Sequence, residues 1–582
     1  MQKELIRRFL KRYASNFWVI FTASLLINLL VFTGSVYMML VYDSVLPSRS
    51  LPTLFSLFGM LALVYAVQGV LEVTRAEAML TAANGVHRDL LSAVHFAAVS
   101  RTLRSQREGE GLQLTRDLDH IHSFLTGAGP LAIIDLPWVL VFLVVLAAMH
   151  WALGLAALIG ACLMAAIAWW TSQRSAAGTK ELTALTSQRI GAVQTELRFA
   201  EAANAMGMQD RLLMRSRMMN ERYLEAQSYL SRTISRLGGV SRLLRLFLQS
   251  AMLTVGAVLV IAGNASGGVI LAASILSGRA LAPVDMAIAN WRGLASARSG
   301  WQRIVDAIYA YQRPEPRSVV LTPPTGELVA RDIWVVPPGS RTAALSGVSL
   351  AIQPGQALAI IGPSAAGKST LARALLGVWP LSRGEIRIDG ATHDQWDREV
   401  IGASFGYLPQ SIDLLEGTIG ENIARFDPSA SSEAVVAAAK AAGMHEMILG
   451  FASGYDTAVS QGGLELSAGQ RQRIGLARAL YGDPHLVVLD EPNSNLDAAG
   501  DAALEQAIIG VRRRGGITVM VTHRPSTLGP VSHVALLANG QLADFGERDA
   551  VLQRMQQRQQ AQGKPDTPQQ VRGANSKEAA PS

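Results

Sequence analysis

The fold of the chain's second half is decided by one stretch, Gly362-Pro363-Ser364-Ala365-Ala366-Gly367-Lys368-Ser369-Thr370. It follows the apolar run 357–361, which predicts a buried strand, and it precedes residues 371–378, whose pattern predicts a helix. A strand, a glycine-rich turn and a helix N-terminus together present backbone N–H groups and a positive dipole end to an anion. The stretch therefore predicts a phosphate-binding loop; the alternative is a glycine- and serine-rich turn that matches the pattern by chance.

The residue types within this loop fit separate roles. Gly362 and Gly367 allow the backbone to curl around phosphate groups without a clash from a Cβ atom. Lys368 can reach the β- and γ-phosphates, and the Ser369 hydroxyl can be a ligand of Mg²⁺. We expect residues 362–370 as a whole to bind ATP together with Mg²⁺.

The composition indicates a chain that is part membrane protein and part soluble domain. Its 582 residues exceed one ordinary domain, and 49% of them are hydrophobic while 17% are charged. The net charge of +7 is compatible with nucleic-acid binding, but many arginines flank apolar runs, where membrane topology explains them better. We therefore expect no nucleic-acid partner. The single cysteine, Cys162, excludes a disulfide within the chain and argues against a cysteine-based metal site.

Six apolar runs in the first half have about the length that crosses a bilayer, which is roughly 20 residues. Basic residues precede the first run, and no small-residue cleavage site follows it, so we expect an uncleaved membrane helix. The runs cover residues 17–41, 51–71, 131–149, 153–170, 248–262 and 269–287.

The distribution of basic residues predicts the orientation of these spans. The N-terminus and the segments after the second and fourth runs are basic, whereas the short links carry almost no lysine or arginine. The positive-inside rule then places both termini in the cytoplasm. The two basic segments, 72–129 and 171–245, predict membrane helices that extend into the cytoplasm, with short breaks at 109–114 and 199–206. A helix across such a tip could touch a soluble domain; the alternative is a solvated helical hairpin.

The sequence Asp135-Leu136-Pro137-Trp138 stands at the start of the third span. An ionisable residue within a span costs a few kcal/mol and usually faces a cavity or a partner. Pro137 is expected to kink the helix. Asp135 could therefore belong to a substrate path, but a hinge or an interface anchor is the interpretation we favour.

A proline-rich segment, 312–327, predicts a linker between two parts of the chain. The part before it, 1–311, is expected to be an all-α domain with six membrane helices. In the part after it, 328–556, short apolar strands alternate with helices, which predicts an α/β P-loop domain with a largely parallel sheet. Residues 557–582 are polar and rich in glutamine, and we expect them to be disordered.

A second nucleotide-binding element follows an apolar strand at 485–489. Asp490, at the end of the strand, would hold Mg²⁺ directly or through water. Glu491 is the next residue and points differently, so it could polarise the attacking water as a general base. A strand that ends in two carboxylates is weak evidence alone, but the phosphate loop upstream strengthens it.

A second anion site is predicted at Leu466-Ser467-Ala468-Gly469-Gln470, which precedes an apolar-periodic helix. Ser467 is a suitable N-cap, and the helix N-terminus behind it can bind an anion. One chain does not need two such sites for one triphosphate. The arrangement makes sense if two domains face each other, so that Ser467, Gly469 and Gln470 close over the γ-phosphate of the partner.

Taken together, these motifs resemble the ATPase of ABC transporters. The resemblance covers Walker A at 362–370, the signature at 466–470, Walker B at 486–490 with Glu491 after it, and a D-loop at 494–497. It also implies a Q-loop at Gln410 and an H-loop at His523. On this basis Glu491, His523, Lys368 and Gln410 are the expected catalytic residues, and Ser369, Gln410 and Asp490 the expected magnesium ligands.

A narrower resemblance is to type I secretion ATPases, in the branch that exports proteases, lipases and RTX proteins. It is carried by YMMLVYDSVLPSRSLPTL (37–54), IDLPW (134–138), IIGPSAAGKSTLARALLGVWP and LDEPNSNLD. That branch lacks an N-terminal peptidase-like domain, and this chain likewise begins shortly before its first span. The resemblance implies a homodimer in the lipid of the bacterial inner membrane, a periplasmic adaptor, a TolC-like outer-membrane channel and a secreted, unfolded polypeptide as substrate.

Two positions depart from the family pattern. The signature usually has glycine at its third position, where this chain has Ala468, and we expect the extra methyl group to be tolerated. The aromatic residue that usually stacks on adenine falls near Pro337. Trp334 could replace it, although strand alternation could point its ring away.

Two other functions compete with polypeptide export. An exporter of lipid or small amphiphilic molecules would share the same membrane fold. An ATP-sensing membrane regulator with a vestigial ATPase is a third possibility, but the intact Lys368, Asp490, Glu491 and His523 argue against it.

Overall fold

The computed structural model describes residues 11–105, 110–311, 321–459 and 466–562. The chain divides into two compact units, Met1–Pro314 and Glu315–Ser582. The division falls within the predicted linker 312–327, of which residues 312–320 lie outside the described part. Each unit is described separately below.

The first unit is helical throughout its described part, as its long apolar runs predict. Several of its helices are long and apolar enough to cross a bilayer. Its helices are α1 (Ala14–Leu40), α2 (Leu51–Ser105), α3 (Glu110–Thr126), α4 (Ala128–Asp135), α5 (Trp138–Met149), α6 (Trp151–Arg198), α7 (Ala200–Ala205), α8 (Gln209–Ile261), α9 (Gly267–Ala289) and α10 (Trp291–Ala310).

The predicted number of membrane spans agrees with these helices. In the described residues, five helices are long and apolar enough to cross a membrane, namely α2, α6, α8, α9 and α1 with the helical turns that follow it to Ser48. The pair α4 and α5 supplies a sixth span, bent by 43° at its break. Pro137 lies in that break and cannot donate a backbone hydrogen bond, so the predicted kink is confirmed.

Three helices continue far beyond bilayer thickness, as the basic segments predict. Helices α2, α6 and α8 have 55, 48 and 53 residues. The predicted break at 199–206 contains the short helix α7 between α6 and α8. The predicted break at 109–114 is placed too late, because α3 already begins at Glu110; Gly109 lies outside the described residues.

Polar side chains join the helices of the first unit at both of its ends. Asp117 of α3 is fully buried and accepts two hydrogen bonds from the Arg303 guanidinium of α10, at 2.8 and 2.7 Å. Asp43, just after α1, accepts hydrogen bonds from Ser266 and from the backbone of Gly268, at the start of α9. A carboxylate at a helix N-terminus is stabilised by the exposed N–H groups and the dipole.

The second unit alternates strands and helices. Its strands are β1 (Leu328–Val335), β2 (Leu345–Ile352), β3 (Ala357–Ile361), β4 (Arg383–Ile388), β5 (Ala391–Thr392), β6 (Phe405–Leu408), β7 (Gly417–Thr418), β8 (Ala458–Val459), β9 (Leu486–Asp490), β10 (Ile517–Val521), β11 (His533–Ala538) and β12 (Gln541–Glu547). Its helices are α11 (Lys368–Leu375), α12 (Arg398–Ala403), α13 (Ile419–Ile423), α14 (Ser432–Ala441), α15 (His445–Leu449), α16 (Ala468–Leu480), α17 (Ala498–Arg513) and α18 (Arg548–Gln562).

The central sheet confirms the predicted parallel arrangement. Its order is β12-β11-β3-β10-β9-β6, and all neighbours are parallel except β11 and β12. Strands β9 and β10 are buried at every residue, which explains why they appear in the sequence as continuous apolar runs. A second, antiparallel sheet has the order β2-β1-β4-β5.

The C-terminal prediction needs a correction. Residues 557–562 were expected to be disordered, but they belong to α18. The physical reason is an ion-pair cluster: Arg554 and Arg558, one turn apart, both reach the half-buried Asp544 of β12. The rest of the predicted tail lies outside the described residues.

Candidate active site at the carboxyl edge of the central sheet

Three neighbouring parallel strands bring the predicted site residues to one edge of the central sheet. Strand β3 leads into the phosphate loop, β9 ends at Asp490, and β10 leads through Thr522 to His523. Because parallel strands end at the same edge, residues from distant parts of the sequence meet there.

The phosphate loop requires glycine at two positions. Gly362 and Gly367 have φ values of +148° and +97°, and a Cβ atom on either would lie 2.1 Å from Leu537 O or 2.6 Å from Ala344 O. Each approach is closer than a real Cβ contact allows. The tight turn therefore depends on both residues, and it ends at the N-terminus of α11.

Lys368 is the first residue of α11 and is buried. Its Nζ atom donates hydrogen bonds to the carbonyl oxygens of Gly362 and Pro363, at 3.0 and 2.8 Å. Burial lowers the pKa of the Lys368 ammonium, while the charges of Glu491 and Asp490 act in the opposite direction. The ammonium thus lies against the loop that would surround the phosphates.

Asp490 and Ser369 form a pair that fits a magnesium ion. The Ser369 hydroxyl donates a hydrogen bond of 3.0 Å to Asp490 Oδ1. Asp490 is fully buried, and its Oδ2 atom has no hydrogen-bond partner among the described residues. Burial raises the pKa of the Asp490 carboxyl above its ordinary value. A buried carboxylate oxygen without a partner, next to a hydroxyl, is the donor set that Mg²⁺ uses together with substrate phosphates.

Glu491 is held between two of the other predicted catalytic residues. Its carboxylate accepts a hydrogen bond of 3.1 Å from Gln410 Nε2, and His523 Nε2 lies 3.2 Å from its other oxygen. Its φ of +52° is in the left-handed region, which turns the side chain out of the direction of β9. Because of this backbone conformation, the side chains of Glu491 and Asp490 point in different directions.

The signature segment forms the N-terminus of α16. Ser467 is the N-cap: its hydroxyl accepts a hydrogen bond from Gln470 N at 3.2 Å, and Gln470 Oε1 accepts one from Ser467 N at 2.8 Å. A Cβ atom on Gly469 would lie 2.7 Å from Asn495 O, whereas Ala468 is exposed. The extra methyl group at the third position therefore has room.

This helix start is not joined to the phosphate loop within one chain. Among the described residues, the side-chain hydrogen bonds of Ser467 and Gln470 connect these two residues to each other, and none reaches residues 362–370. The structure thus assembles Lys368, Ser369, Asp490, Glu491, Gln410 and His523 but leaves the signature apart from them.

Sequence reasoning missed Gln472, which connects α16 to the segment after β9. Its side chain is 2% exposed; its amide nitrogen donates to the Pro492 carbonyl, and its Oε1 accepts from Asn495 N at 3.0 Å. The next residue, Arg473, forms an ion pair with Asp497. A glutamine on the buried face of an apolar-periodic helix is the signal that could have identified it.

Trp334 has contacts within the antiparallel sheet. Its Nε1 donates a hydrogen bond of 3.1 Å to Asp332, and the same atom lies 4.0 Å from the position of a Cβ on Gly347. These contacts place the indole over β2. Adenine stacking by Trp334 stays a prediction.

Asp135 is part of a buried polar cluster between membrane helices. Its carboxylate accepts hydrogen bonds from Arg75 of α2, at 3.1 and 3.3 Å, and from Asn28 of α1, at 3.0 Å. Arg75 also donates to Ser24. The cluster ties α1, α2 and α4 together, which favours the anchor interpretation of Asp135 over a substrate path.

Comparison with known proteins supports these observations. Residues 345–494 match the ABC transporter family, and residues 17–282 match the ABC transporter transmembrane region. The chain is 44% identical over 541 residues to the type I secretion system ATP-binding protein PrsD of Rhizobium meliloti, covering 93% of both chains. It is 26% identical to a toxin RTX-I translocation ATP-binding protein of Actinobacillus pleuropneumoniae, covering 93% of this chain and 77% of the relative.

The structure resembles that of a bacterial Atm1-family ABC exporter with ATP bound. The TM-score is 0.77, the sequence identity is 22%, and the match covers 96% of this chain and 99% of the other. At this identity the likeness concerns the fold alone.

Proposed function

Because the chain belongs to the ABC transporter family and, within it, to the type I secretion ATP-binding proteins, we propose that it exports unfolded polypeptide across the bacterial inner membrane by hydrolysing ATP. The observation that carries this proposal is the position of Glu491. Its carboxylate lies between Gln410 and His523, one residue after the buried Asp490. This is the placement that a general base needs beside a bound triphosphate.

Each residue at this edge has a separate task in the proposed reaction. Lys368 exchanges its two carbonyl partners for phosphate oxygens when ATP binds. Glu491 accepts the proton of the attacking water, and His523 holds that water and the γ-phosphate in line. Ser369 and Asp490, with Gln410, would hold Mg²⁺, which would neutralise phosphate charge there.

The proposed ATP sites are composite and lie across a homodimer. Ser467 and Gly469 of one chain would cover the phosphates held by the loop of the other, because the signature is not joined to residues 362–370 within one chain. Mixed dimers that combine Lys368→Ala in one chain with Ser467→Arg in the other test this. Composite sites leave one intact site per mixed dimer and about half of the activity, whereas sites within single chains leave none.

The membrane placement and partners extend the same proposal. We place both termini in the cytoplasm of a bacterium and assign a periplasmic adaptor and a TolC-like outer-membrane channel as partners, in keeping with the basic segments around α2, α6 and α8. Crosslinking in intact cells, followed by purification of this protein, should recover both partners in amounts that depend on ATP. Recovery of neither would contradict this part of the proposal.

A comparison of culture supernatants distinguishes polypeptide export from the alternative, export of lipid or small amphiphiles. A deletion strain is complemented with the wild-type gene or with Glu491→Gln at equal protein levels, and secreted proteins and outer-membrane lipids are measured by mass spectrometry. We expect one or more extracellular proteins to be lost with Glu491→Gln while the lipids stay unchanged. Unchanged extracellular proteins with altered lipids would favour the alternative.

A further inference from the structure

Each membrane span has a face that no other helix in the described part of the chain covers, here called its open face. The open face of α9 differs from those of the other spans. Between Gly267 and Ala289, all of which are described, Met286 is the only large hydrophobic residue that is exposed. The other five spans each expose several large apolar side chains, as lipid contact requires. Examples are Trp18 and Leu29 in α1, Phe55 and Leu63 in α2, Leu140 and Val144 in α5, Leu158 and Ile159 in α6, and Phe247 and Val258 in α8.

A single charge lies in the middle of this open face. The least buried positions of α9 follow a helical stripe, and Arg279 is its exposed centre. The stripe consists of Leu271, Ile275, Gly278, Arg279, Ala282 and Met286. At 1.5 Å per residue, Arg279 lies about 18 Å from the start of α9 and about 15 Å from its end. It is therefore near the centre of a hydrocarbon layer that is about 30 Å thick.

Two other arginines of the membrane helices have carboxylate partners. Arg75 pairs with Asp135 and Arg245 pairs with Asp285. Throughout the described ranges, no hydrogen bond or ion pair involves the side chain of Arg279. The nearest side chain to a Cβ on the adjacent Gly278 is Gln249 of α8, at 4.0 Å, and an amide cannot neutralise a guanidinium.

The energetic cost of an arginine in lipid argues against lipid as the neighbour of this face. An arginine at the centre of a bilayer costs about 2.5–3.5 kcal/mol on insertion scales, so such residues usually face a water-filled cavity or a partner. Lipid phosphates lie at the membrane surface, about 15 Å away, which is farther than an arginine side chain reaches.

We infer that the face of α9 around Arg279 lines a water-filled path and that its guanidinium binds carboxylate groups of an extended polypeptide in transit. A guanidinium recognises carboxylates by paired, charge-assisted hydrogen bonds. The small residues around it, Gly278 and Ala282, leave space for a chain to approach the helix. The inference rests on the proposed export of polypeptide and adds one specific contact, between the Arg279 guanidinium and carboxylate groups of the exported chain.

A peptide-binding experiment tests the inference on the full-length protein in nanodiscs of neutral lipid. The probes are fluorescent 20-residue polyglutamate, polylysine and a glycine–serine peptide, and the variants are Arg279→Gln and Arg279→Lys. Arg292→Gln is the matched control, because Arg292 is an exposed arginine of α10, outside the apolar spans. We expect Arg279→Gln to weaken polyglutamate binding about tenfold, since hydrogen bonds to charged groups contribute about 1.5 kcal/mol or more. The Lys variant keeps the charge but loses the paired hydrogen bonds, so its affinity for polyglutamate should lie between those of the wild type and Arg279→Gln. The control should stay within about twofold of the wild type.

Several outcomes would overturn the inference, and each has a different meaning. Equal polyglutamate binding by the wild type and Arg279→Gln removes Arg279 from the path. Loss of the homodimer in Arg279→Gln, measured by mass photometry, assigns the residue to a subunit interface instead. Loss of the difference in nanodiscs that contain anionic lipid assigns it to a lipid phosphate. If wild-type protein binds none of the three peptides, the inference fails, whereas the proposed polypeptide export is decided separately by the comparison of culture supernatants.

Labelling provides a second measurement that does not depend on peptide affinity. Arg279→Cys in a Cys162→Ala background should react with a charged, membrane-impermeant thiol reagent, because the path contains water. Val258→Cys in the same background, on the apolar face of α8, should stay unlabelled. Equal protection of both cysteines would contradict the water-filled path.

Discussion

Two fully buried aspartates, one in each unit, show how differently a carboxylate can be used. Asp117 of the membrane unit has both oxygens bound, to Arg303 and to Gln113. Asp490 of the ATPase unit has only Ser369 on one oxygen, and its other oxygen has no partner within the described residues. A buried carboxylate whose hydrogen bonds are complete holds a fold together, whereas an incomplete one is suited to bind a ligand.

In the comparison of the two aspartates, the largest effect on turnover is expected from Lys368, the cation of the phosphate loop. Lys368→Ala removes the only charge that the loop itself offers to the phosphates, so we expect ATP turnover to fall about 10²–10³-fold. Equilibrium binding of a fluorescent ATP analogue should weaken as well. Arg331→Ala, an exposed change in the same unit, is the control and should leave turnover unchanged.

The structural aspartate should respond through stability rather than through chemistry. Asp117→Ala leaves the Arg303 guanidinium without its partner, and we expect about 3 kcal/mol of destabilisation, near the lower limit for a broken buried pair because Arg303 is partly exposed. Thermal unfolding in detergent measures it. A loss of stability smaller than that caused by Arg383→Ala, which breaks the exposed pair with Asp332, would contradict this role.

For Asp490, the proposed magnesium ligand, we expect the opposite sign of the change in stability. The pKa of Asp490 is raised in the folded state, so this carboxyl contributes stability below its unfolded pKa, and that contribution is lost as pH rises through the folded pKa. At neutral pH, Asp490→Asn should therefore stabilise the nucleotide-free protein. It should also remove the stabilisation by MgATP, which is about 2.7 kcal/mol at a hundredfold excess over Kd.

Thermal unfolding with and without MgATP, at pH 5 and pH 7.5, decides this prediction. The stabilising effect of Asp490→Asn on the nucleotide-free protein should shrink toward the lower pH. If Asp490→Asn instead destabilised the nucleotide-free protein, Asp490 would, like Asp117, be a residue that stabilises the fold.

The smallest expected effect concerns Gln472, whose hydrogen bonds are complete although it lies beside the reacting groups. Gln472→Ala leaves the Pro492 carbonyl and Asn495 N–H without their partners and loosens the segment that begins at Glu491. We expect kcat for ATP to fall about tenfold while KM changes less than twofold, because the phosphate loop is untouched. Equal changes in kcat and KM would indicate that Gln472 stabilises the fold of the unit as a whole and does not specifically position the segment that begins at Glu491.

What the sequence alone could predict depends on whether a feature is determined by neighbouring residues or by partners elsewhere in the chain. The phosphate loop, the carboxylates after β9 and the break at Pro137 depend on neighbouring residues, so local chemistry identifies them. The partners of Asp135 are Arg75 and Asn28, which are 60 and 107 positions away, and no local rule selects them. The continuation of α18 to Gln562 is not predicted either, because the ion pair of Arg558 with Asp544 of β12 forms only when the strand and the helix pack together.

The role of Glu491 as the general base is tested most directly by the turnover of Glu491→Gln in the purified, membrane-reconstituted protein. The substitution keeps the shape and hydrogen bonding of the side chain but removes its basicity. We predict that MgATP still binds and is trapped in a closed dimer while steady-state hydrolysis falls about 10²–10⁴-fold, the usual contribution of a positioned base. Turnover close to that of the wild type would contradict the assignment of this edge of the sheet as the site of hydrolysis.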